Sequence, residues 1–275
     1  MNNSLKKLFF ISALLTFSLQ VWSVEFSKDE FPHNLFNFGV LVENDTHQIY
    51  RSAMLGGLGL YILRGTFKKA GHPFPRTIVY MNKNGYKGII PFYGNGALRE
   101  YKKQDKYGFT FHHSFDYENR TYLEGHNPYN PEVDIDADDR LGRKARKIFG
   151  VLQDDKVDGG IDALLRIMNI VLDPDKQPVL FHCLGGRHRT GIVALLVRYL
   201  QGGEWLTGEH EVTIKYKEHP SDEKKENTFT LNNAQYEYYL HNKEMFRPEN
   251  IEFAEEFSGD SRFLELKEKY GHYLH

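Results

Sequence analysis

The chain has 275 residues, 40% hydrophobic, 14% aromatic and 26% charged, a composition that excludes the disordered and fibrous classes. Thirty-five basic residues against 37 acidic ones leave a formal net charge of −2. That balance excludes a general nucleic-acid binder, which needs a domain-wide basic excess, and leaves any polyanion recognition to a local cluster. One cysteine, Cys183, rules out a disulfide within the chain.

Lys6 and Lys7, the apolar run Leu8 to Leu19 and the sequence Val21-Trp22-Ser23 read as an export signal, cleaved near Ser23, over residues 1–23. A run of about a dozen apolar residues is too short to span a bilayer, and no second long apolar stretch follows. The expected protein is therefore exported, periplasmic or secreted, with no membrane attachment once the signal is removed. Residues 24–275 are expected to form a single domain, and nothing in them speaks to oligomeric state.

Asn37 to Ala53 reads as an opening strand pair, followed by a helix at Gly57 to Ala70, a strand at Gly88 to Phe92 and a turn at Gly94-Asn95-Gly96. A helical stretch from Ala97 to Lys106 leads into a strand from Phe109 to Phe115 that stops at Asp116. This alternation predicts an α/β fold with a central, mostly parallel sheet flanked by helices. Residues 117–160 form a long connection rich in Asn, Pro, Gly and Asp, read as an insertion. Within it Leu141, Ala145, Ile148 and Leu152 recur at helical spacing, with Arg140, Arg143, Lys144 and Lys147 on another face. A helix at Ile161 to Leu172, the turn Asp173-Pro174-Asp175 and a buried-type strand at Pro178 to His182 follow. Thr190 to Leu200 is apolar enough for a buried helix. The remainder reads as mostly helical and charged, with a loop at His219 to Asn227.

Between that last strand and helix lies His182 to Gly191, HCLGGRHRTG. Strand, tight glycine loop and helix N-terminus aim several backbone N–H groups and the positive end of a helix dipole at one spot, which suits phosphate. Gly185 and Gly186 permit positive φ and close approach of a ligand. Arg189, six positions after Cys183, can curl back to face the sulfur and grip two phosphate oxygens with its planar fork. Such surroundings lower a cysteine pKa from about 8.5 to roughly 3.5–7.5. An ionised Cys183 is then a nucleophile for phosphorus, and in-line attack gives a phosphocysteine. For Thr190 two readings stand, a hydrogen bond to the sulfur or a helix cap; for His182, orientation of the loop or a satisfied core histidine.

HCLGGRHRTG matches the HCxxGxxR(S/T) signature of the cysteine-dependent tyrosine and dual-specificity phosphatases. It resembles more narrowly the HCxxGKHRTG of the atypical dual-specificity phosphatases of plants and fungi that act on inositol phosphates and pyrophosphates. The likeness extends through Ala163 to Pro178, to Arg198-Tyr199-Leu200-Gln201, and to the opening strands at Asn37-Phe38-Gly39-Val40 and Ile49-Tyr50-Arg51-Ser52-Ala53. Arg187 stands where that group has lysine. The chain is also similar to the bacterial tyrosine-phosphatase-like phytases, whose loop reads HCxxGxGRT.

The resemblance implies the cysteine phosphatase fold, with Cys183 as nucleophile and Arg189 as phosphate ligand. Leu184, Gly185, Gly186, Arg187, His188 and Thr190, with His182, then line the substrate. It also implies an aspartate acid on a loop after the preceding strand; Asp116 occupies that place, and Asp154, Asp155 and Asp158 compete. Arg187, His188 and Arg189 crowd more charge into the loop than one phosphate needs. The expected partner is therefore a small polyanionic phosphate ester, inositol hexakisphosphate first, with phosphoproteins as the alternative. The basic face at Arg140, Arg143, Lys144 and Lys147 is either a second set of contacts or a solvated surface. No metal or other cofactor is expected. The run Asp134 to Asp138 lacks the glycine and glutamate of a calcium loop, having Asp139 and Ala145 there, and His112 and His113 point to opposite faces of a strand.

Overall fold

The computed structural model describes residues 37–81, 99–112, 115–116, 121–122, 141, 144–145, 160–202, 210–216, 225–231, 236, 239–240 and 246–275. The opening strand pair is β1 (Gly39–Glu43) and β2 (Gln48–Ala53), paired antiparallel. Asn44 closes the turn between them: its side-chain oxygen accepts the N–H groups of Thr46 and His47 at 3.0 and 2.7 Å. Helix α1 (Gly56–Ala70) follows and ends where Gly71 adopts the left-handed conformation, φ 77°.

Strand β3 (Thr77–Tyr80) comes next, and nothing in the sequence announced it: four residues, all buried, show no alternation to read. The expected strand at Gly88 to Phe92 and the turn after it lie outside the described residues. The expected helix at Ala97 to Lys106 is present in part, as helical residues 99–101 and the short α2 (Gln104–Tyr107). Of the expected strand at Phe109 to Phe115, residues 110–112 form β4 (Thr110–His112), and residues 113–114 lie outside the described residues. Phe115 and Asp116 form β5 (Phe115–Asp116), which leaves the main sheet to pair antiparallel with β6 (Thr121–Tyr122).

Helix α3 (Ile161–Leu172), strand β7 (Val179–Cys183) and helix α4 (Arg189–Leu200) fall within a residue of the expected bounds. The C-terminal third corrects the expectation of a mostly helical remainder. His210–Tyr216 (β8) and Lys225–Leu231 (β9) form an antiparallel hairpin that takes in Lys225 to Asn227 of the expected loop. Their sequences alternate: Glu211, Thr213 and Lys215 are exposed around buried Val212, and Glu226, Thr228 and Thr230 are exposed before buried Leu231. Helices α5 (Pro248–Ser258) and α6 (Ser261–Tyr270) close the chain.

The main sheet has the order β1-β2-β7-β3-β4, antiparallel only between β1 and β2. This is the expected mostly parallel α/β sheet. Side chains alternate across it. Tyr50, Ile78, Phe111 and Leu180 face α1 and an aromatic cluster around Phe67. Ile49, Val79, Val179, Phe181 and Cys183 face α3, α4 and the C-terminal helices. Helix α4 lies between the sheet and α5, which explains why Thr190 to Val197 are all buried. No helix among the described residues is long and apolar enough to cross a membrane.

β7 is the centre of this arrangement, paired on both edges and buried along its whole length. Leu180 is fully buried there. Truncation of Leu180 to alanine is expected to lower unfolding stability by about 2–5 kcal/mol, because a site walled by two paired strands collapses little. Urea denaturation checks it.

Candidate functional site

β7 ends on Cys183, and α4 begins at Arg189, so the five residues between them turn at the carboxyl end of a central parallel strand. This is where α/β sheets bind ligands. Cys183 is buried, with 5% of its surface exposed.

Three other parts of the chain hold the loop's carbonyls. The Met54 N–H donates to the Leu184 carbonyl at 3.2 Å, the Asn37 amide to that of Gly185 at 2.8 Å, and the buried Asn250 amide of α5 to that of Arg187 at 2.9 Å. In a planar trans peptide the carbonyl and the following N–H point opposite ways. Fixing these three oxygens outward therefore turns the N–H groups of Gly185, Gly186 and His188 toward the loop's interior, an anion cradle.

Gly186 has φ 66° and packs against the end of β2. A Cβ there would lie 2.7 Å from the Ala53 nitrogen and 2.9 Å from the Ser52 carbonyl. Gly185 carries neither constraint: it is exposed, and a Cβ would meet nothing within 4 Å. Of the two glycines expected to supply the turn, only Gly186 is required by the backbone.

Burial pushes the Cys183 thiol up, but the surrounding groups outweigh it and hold the thiol below its ordinary value. The Thr190 side chain and N–H, the charge of Arg189 and the Gly186 N–H all favour the thiolate. Thr190 Oγ1 also accepts the Cys183 N–H at 2.9 Å. Thr190 is the second residue of α4, whose cap position is His188 without a side-chain cap bond, so the capping reading of Thr190 falls away. Arg189 is half-buried and donates to the Met81 carbonyl just beyond β3 at 3.0 Å, which aims its guanidinium across the loop. Arg187 is exposed at the rim, and Leu184 and His188 are half-buried.

His182 points to the opposite face from Cys183. It is fully buried, and its Nε2 faces Oε2 of Glu100 at 3.0 Å, with both side chains 0% exposed. The other carboxyl oxygen of Glu100 accepts the N–H groups of Leu55, at 2.6 Å, and Gly56, the donors left open at the start of α1. Burial alone would push the imidazole down; Glu100 reverses this, and His182 is held above its ordinary value. Sequence reasoning missed Glu100. Set between Arg99 and Tyr101 in a charged stretch, it carries no motif, and only the approach of α1 buries it.

The backbone of Asp116 lies on β5, opposite Thr121. Asp154, Asp155, Asp158, Asp134 to Asp138, His113, Arg140, Arg143 and Lys147 lie outside the described residues. Lys144 is ion-paired with Glu256 of α5. Among the described residues no group of three or more His, Cys, Asp or Glu side chains converges as a metal site.

A buried thiol held below its usual pKa, N–H groups turned into the loop and an arginine six residues on make a site fit to bind a phosphate and to attack it with sulfur. The comparisons name the particular likeness: residues 117–229, which include the whole loop and exclude β1 to β4 and Glu100, match the model of the tyrosine phosphatase family. No curated protein matches the sequence at a significant level. Among solved structures, the chain is similar to the core catalytic domain of the PP-IP phosphatase Siw14 from S. cerevisiae in complex with citrate. The identity is 16% and the TM-score 0.43, with 85% of this chain and 91% of that chain covered. A second structure, of the Siw14 catalytic core, has the same identity and TM-score and covers 85% and 90%.

The contrast between the two glycines is testable. Gly186→Ala forces a side chain into the left-handed region and against β2, and is expected to cost about 1–3 kcal/mol of stability and to displace the loop. Gly185→Ala is expected to stay within about 0.5 kcal/mol of the parent. Thermal unfolding of the two variants side by side checks the order.

Proposed function

We propose that this chain hydrolyses phosphomonoesters of inositol polyphosphates, inositol hexakisphosphate first, through a phosphocysteine on Cys183. The observation that carries the substrate class is the loop HCLGGRHRTG itself. Its inner arginine, Arg189, is turned toward Cys183, while Arg187 stands exposed on the rim beside half-buried His188. One phosphate is served from within the loop, and the positive charge at the rim suits the neighbouring phosphates of a crowded ring. The likeness of the loop to that of the plant and fungal inositol phosphate phosphatases supports the same reading.

In the proposed mechanism, the phosphate enters the cradle with two oxygens on the Arg189 fork and others on the N–H groups of Gly185, Gly186 and His188. The Cys183 thiolate attacks phosphorus in line; an S–P bond forms as the P–O bond to the ring breaks. The electron pair goes to the leaving oxygen, which takes the proton of the Asp116 carboxylic acid. Water then attacks the phosphocysteine, gives its proton to the Asp116 carboxylate, and releases phosphate and the thiolate. Thr190, by its hydrogen bond to the sulfur, stabilises the thiolate both before attack and as it leaves. Asp154 and Asp155 are the alternatives to Asp116 as the acid. The signal-like segment 1–23 supports export to the periplasm or outside the cell.

Phosphate release from inositol hexakisphosphate, measured beside release from phosphotyrosine peptides, tests the substrate class; a strong preference for the peptides would overturn it in favour of a protein phosphatase. Cys183→Ser is expected to abolish turnover while phosphate still binds. Asp116→Asn is expected to slow alkyl phosphates by about 10²–10⁴-fold and an activated aryl phosphate far less, since the aryl leaving group needs little protonation. Equal losses on both would move the acid to Asp154 or Asp155.

A further inference from the structure

We propose that Glu100 is a positioning residue for the nucleophile, holding His182 as an imidazolium directly behind Cys183 while tying the start of α1 to the strand that carries the sulfur. The geometry is specific. Nδ1 of His182 lies 3.3 Å from the Cys183 carbonyl oxygen, and Nε2 lies 3.0 Å from the Glu100 carboxyl. A carbonyl oxygen only accepts, so Nδ1 donates to it. With a carboxylate at the other end, both ring nitrogens face oxygen acceptors, the Nε2 contact being an ion-pair approach rather than an aligned hydrogen bond, and the doubly protonated ring suits both. Both side chains are 0% exposed, so bulk solvent does not reach the pair. The attraction between the charges is therefore little screened.

Among the described residues, the charged or titratable groups around the imidazole are Glu100, Cys183 on its own strand, and Tyr80 of β3, whose ring lies 5.2 Å away. β2 presents uncharged Ser52 at the same register, and Arg189 of α4 reaches the sulfur from the far side. Arg189 thus places positive charge in front of the sulfur, where substrate phosphate competes for it, and His182, paired with Glu100, stands behind it. Glu100 sets the second charge. Without its carboxylate, burial returns the imidazole to the neutral form, and the sulfur loses that support.

The experiment reads the sulfur directly. Alkylation of Cys183 by iodoacetamide, followed by mass spectrometry across the acid and neutral range, gives the midpoint of thiolate formation without any substrate. Glu100→Gln keeps the carbonyl that the Leu55 and Gly56 N–H groups need but turns an amide toward His182. It is expected to raise the midpoint by about one pH unit. Glu100→Asp is expected to recover part of that shift. In a His182→Asn background Glu100→Gln is expected to add no further shift, as it must if it acts through the imidazole. The acid limb of kcat/KM should move up in parallel.

An unchanged midpoint in folded Glu100→Gln, whatever its Tm, would reduce Glu100 to a structural tie and overturn the proposal. Should that variant fail to fold, the ¹⁵N shifts of His182 in the parent protein decide. A doubly protonated ring at neutral pH supports the proposal, and a neutral tautomer overturns it. The activity arm rests on the phosphatase reading, but the alkylation and ¹⁵N arms do not. A parent protein with a low alkylation midpoint and no phosphate release from any monoester would end that reading and leave this one standing.

Discussion

The charge on one buried sulfur atom is the quantity on which the rest of this structure turns. Removing an ionised group from water is unfavourable, and Cys183 is almost wholly enclosed, so the thiolate exists only where fixed dipoles and charges replace the water it has lost. The replacements come from the Thr190 side chain and N–H, from Arg189 and from the Gly186 N–H, none of which would point at the sulfur in an isolated loop. α4 must begin at Arg189 for the arginine and Thr190 to face back toward β7. The packing of α4 between the sheet and α5 fixes that starting point. The same low-polarity surroundings that oppose ionisation also strengthen each of these contacts, which makes burial both the obstacle and the reason the donors suffice.

Half of the scaffold that shapes the loop lies far from it in sequence. Arg51 of β2 donates to the Asn37 carbonyl at 2.7 Å, and the Asn37 amide in turn holds the Gly185 carbonyl. The end of β2 walls Gly186, Met54 holds the Leu184 carbonyl, and Leu55 and Gly56 hold Glu100. Residues 51–56 therefore touch the loop, the nucleophile's neighbour and the first helix in one short span. The opening strands belong to the site for a physical reason, although the family match begins only at residue 117. They supply the rigid edge against which a tight turn is pressed.

What could be read from the sequence was what is set locally. Glycines and charges bracket the apolar runs at Val179 to Cys183 and Thr190 to Leu200, so strand, loop and helix could be bounded within a residue. The spacing from Cys183 to Arg189 carried the chemistry with it. What is decided by long-range packing could not be read. β3 is too short to show a period, and in the β8–β9 hairpin charged and polar residues mask the alternation of Val212, Ile214 and Tyr216 and of Phe229 and Leu231. Gly185 and Gly186 are indistinguishable as letters; β2 makes one of them indispensable. Glu100 is an unremarkable acid in a charged stretch until α1 brings two N–H groups to it and β7 brings an imidazole.

The division of basic residues bears on where selectivity arises. Lys144, which the sequence spacing groups with Arg140, Arg143 and Lys147, is ion-paired with Glu256 of α5. That helix also carries Asn250, which holds the Arg187 carbonyl. The contact therefore acts on the site through position, by seating α5 against the rim of the loop, and draws one cation away from any ligand. Arg187 has its backbone carbonyl held by α5, and its side chain stands exposed at the end of the loop. On the function proposed above, charge anchored at the backbone and presented at the rim would discriminate among phosphate esters by the spacing of their further phosphates. A cation already committed to a carboxylate adds little to that choice. On that proposal, substrate selectivity would arise at the rim of the loop, where Arg187 is exposed, more than at Lys144.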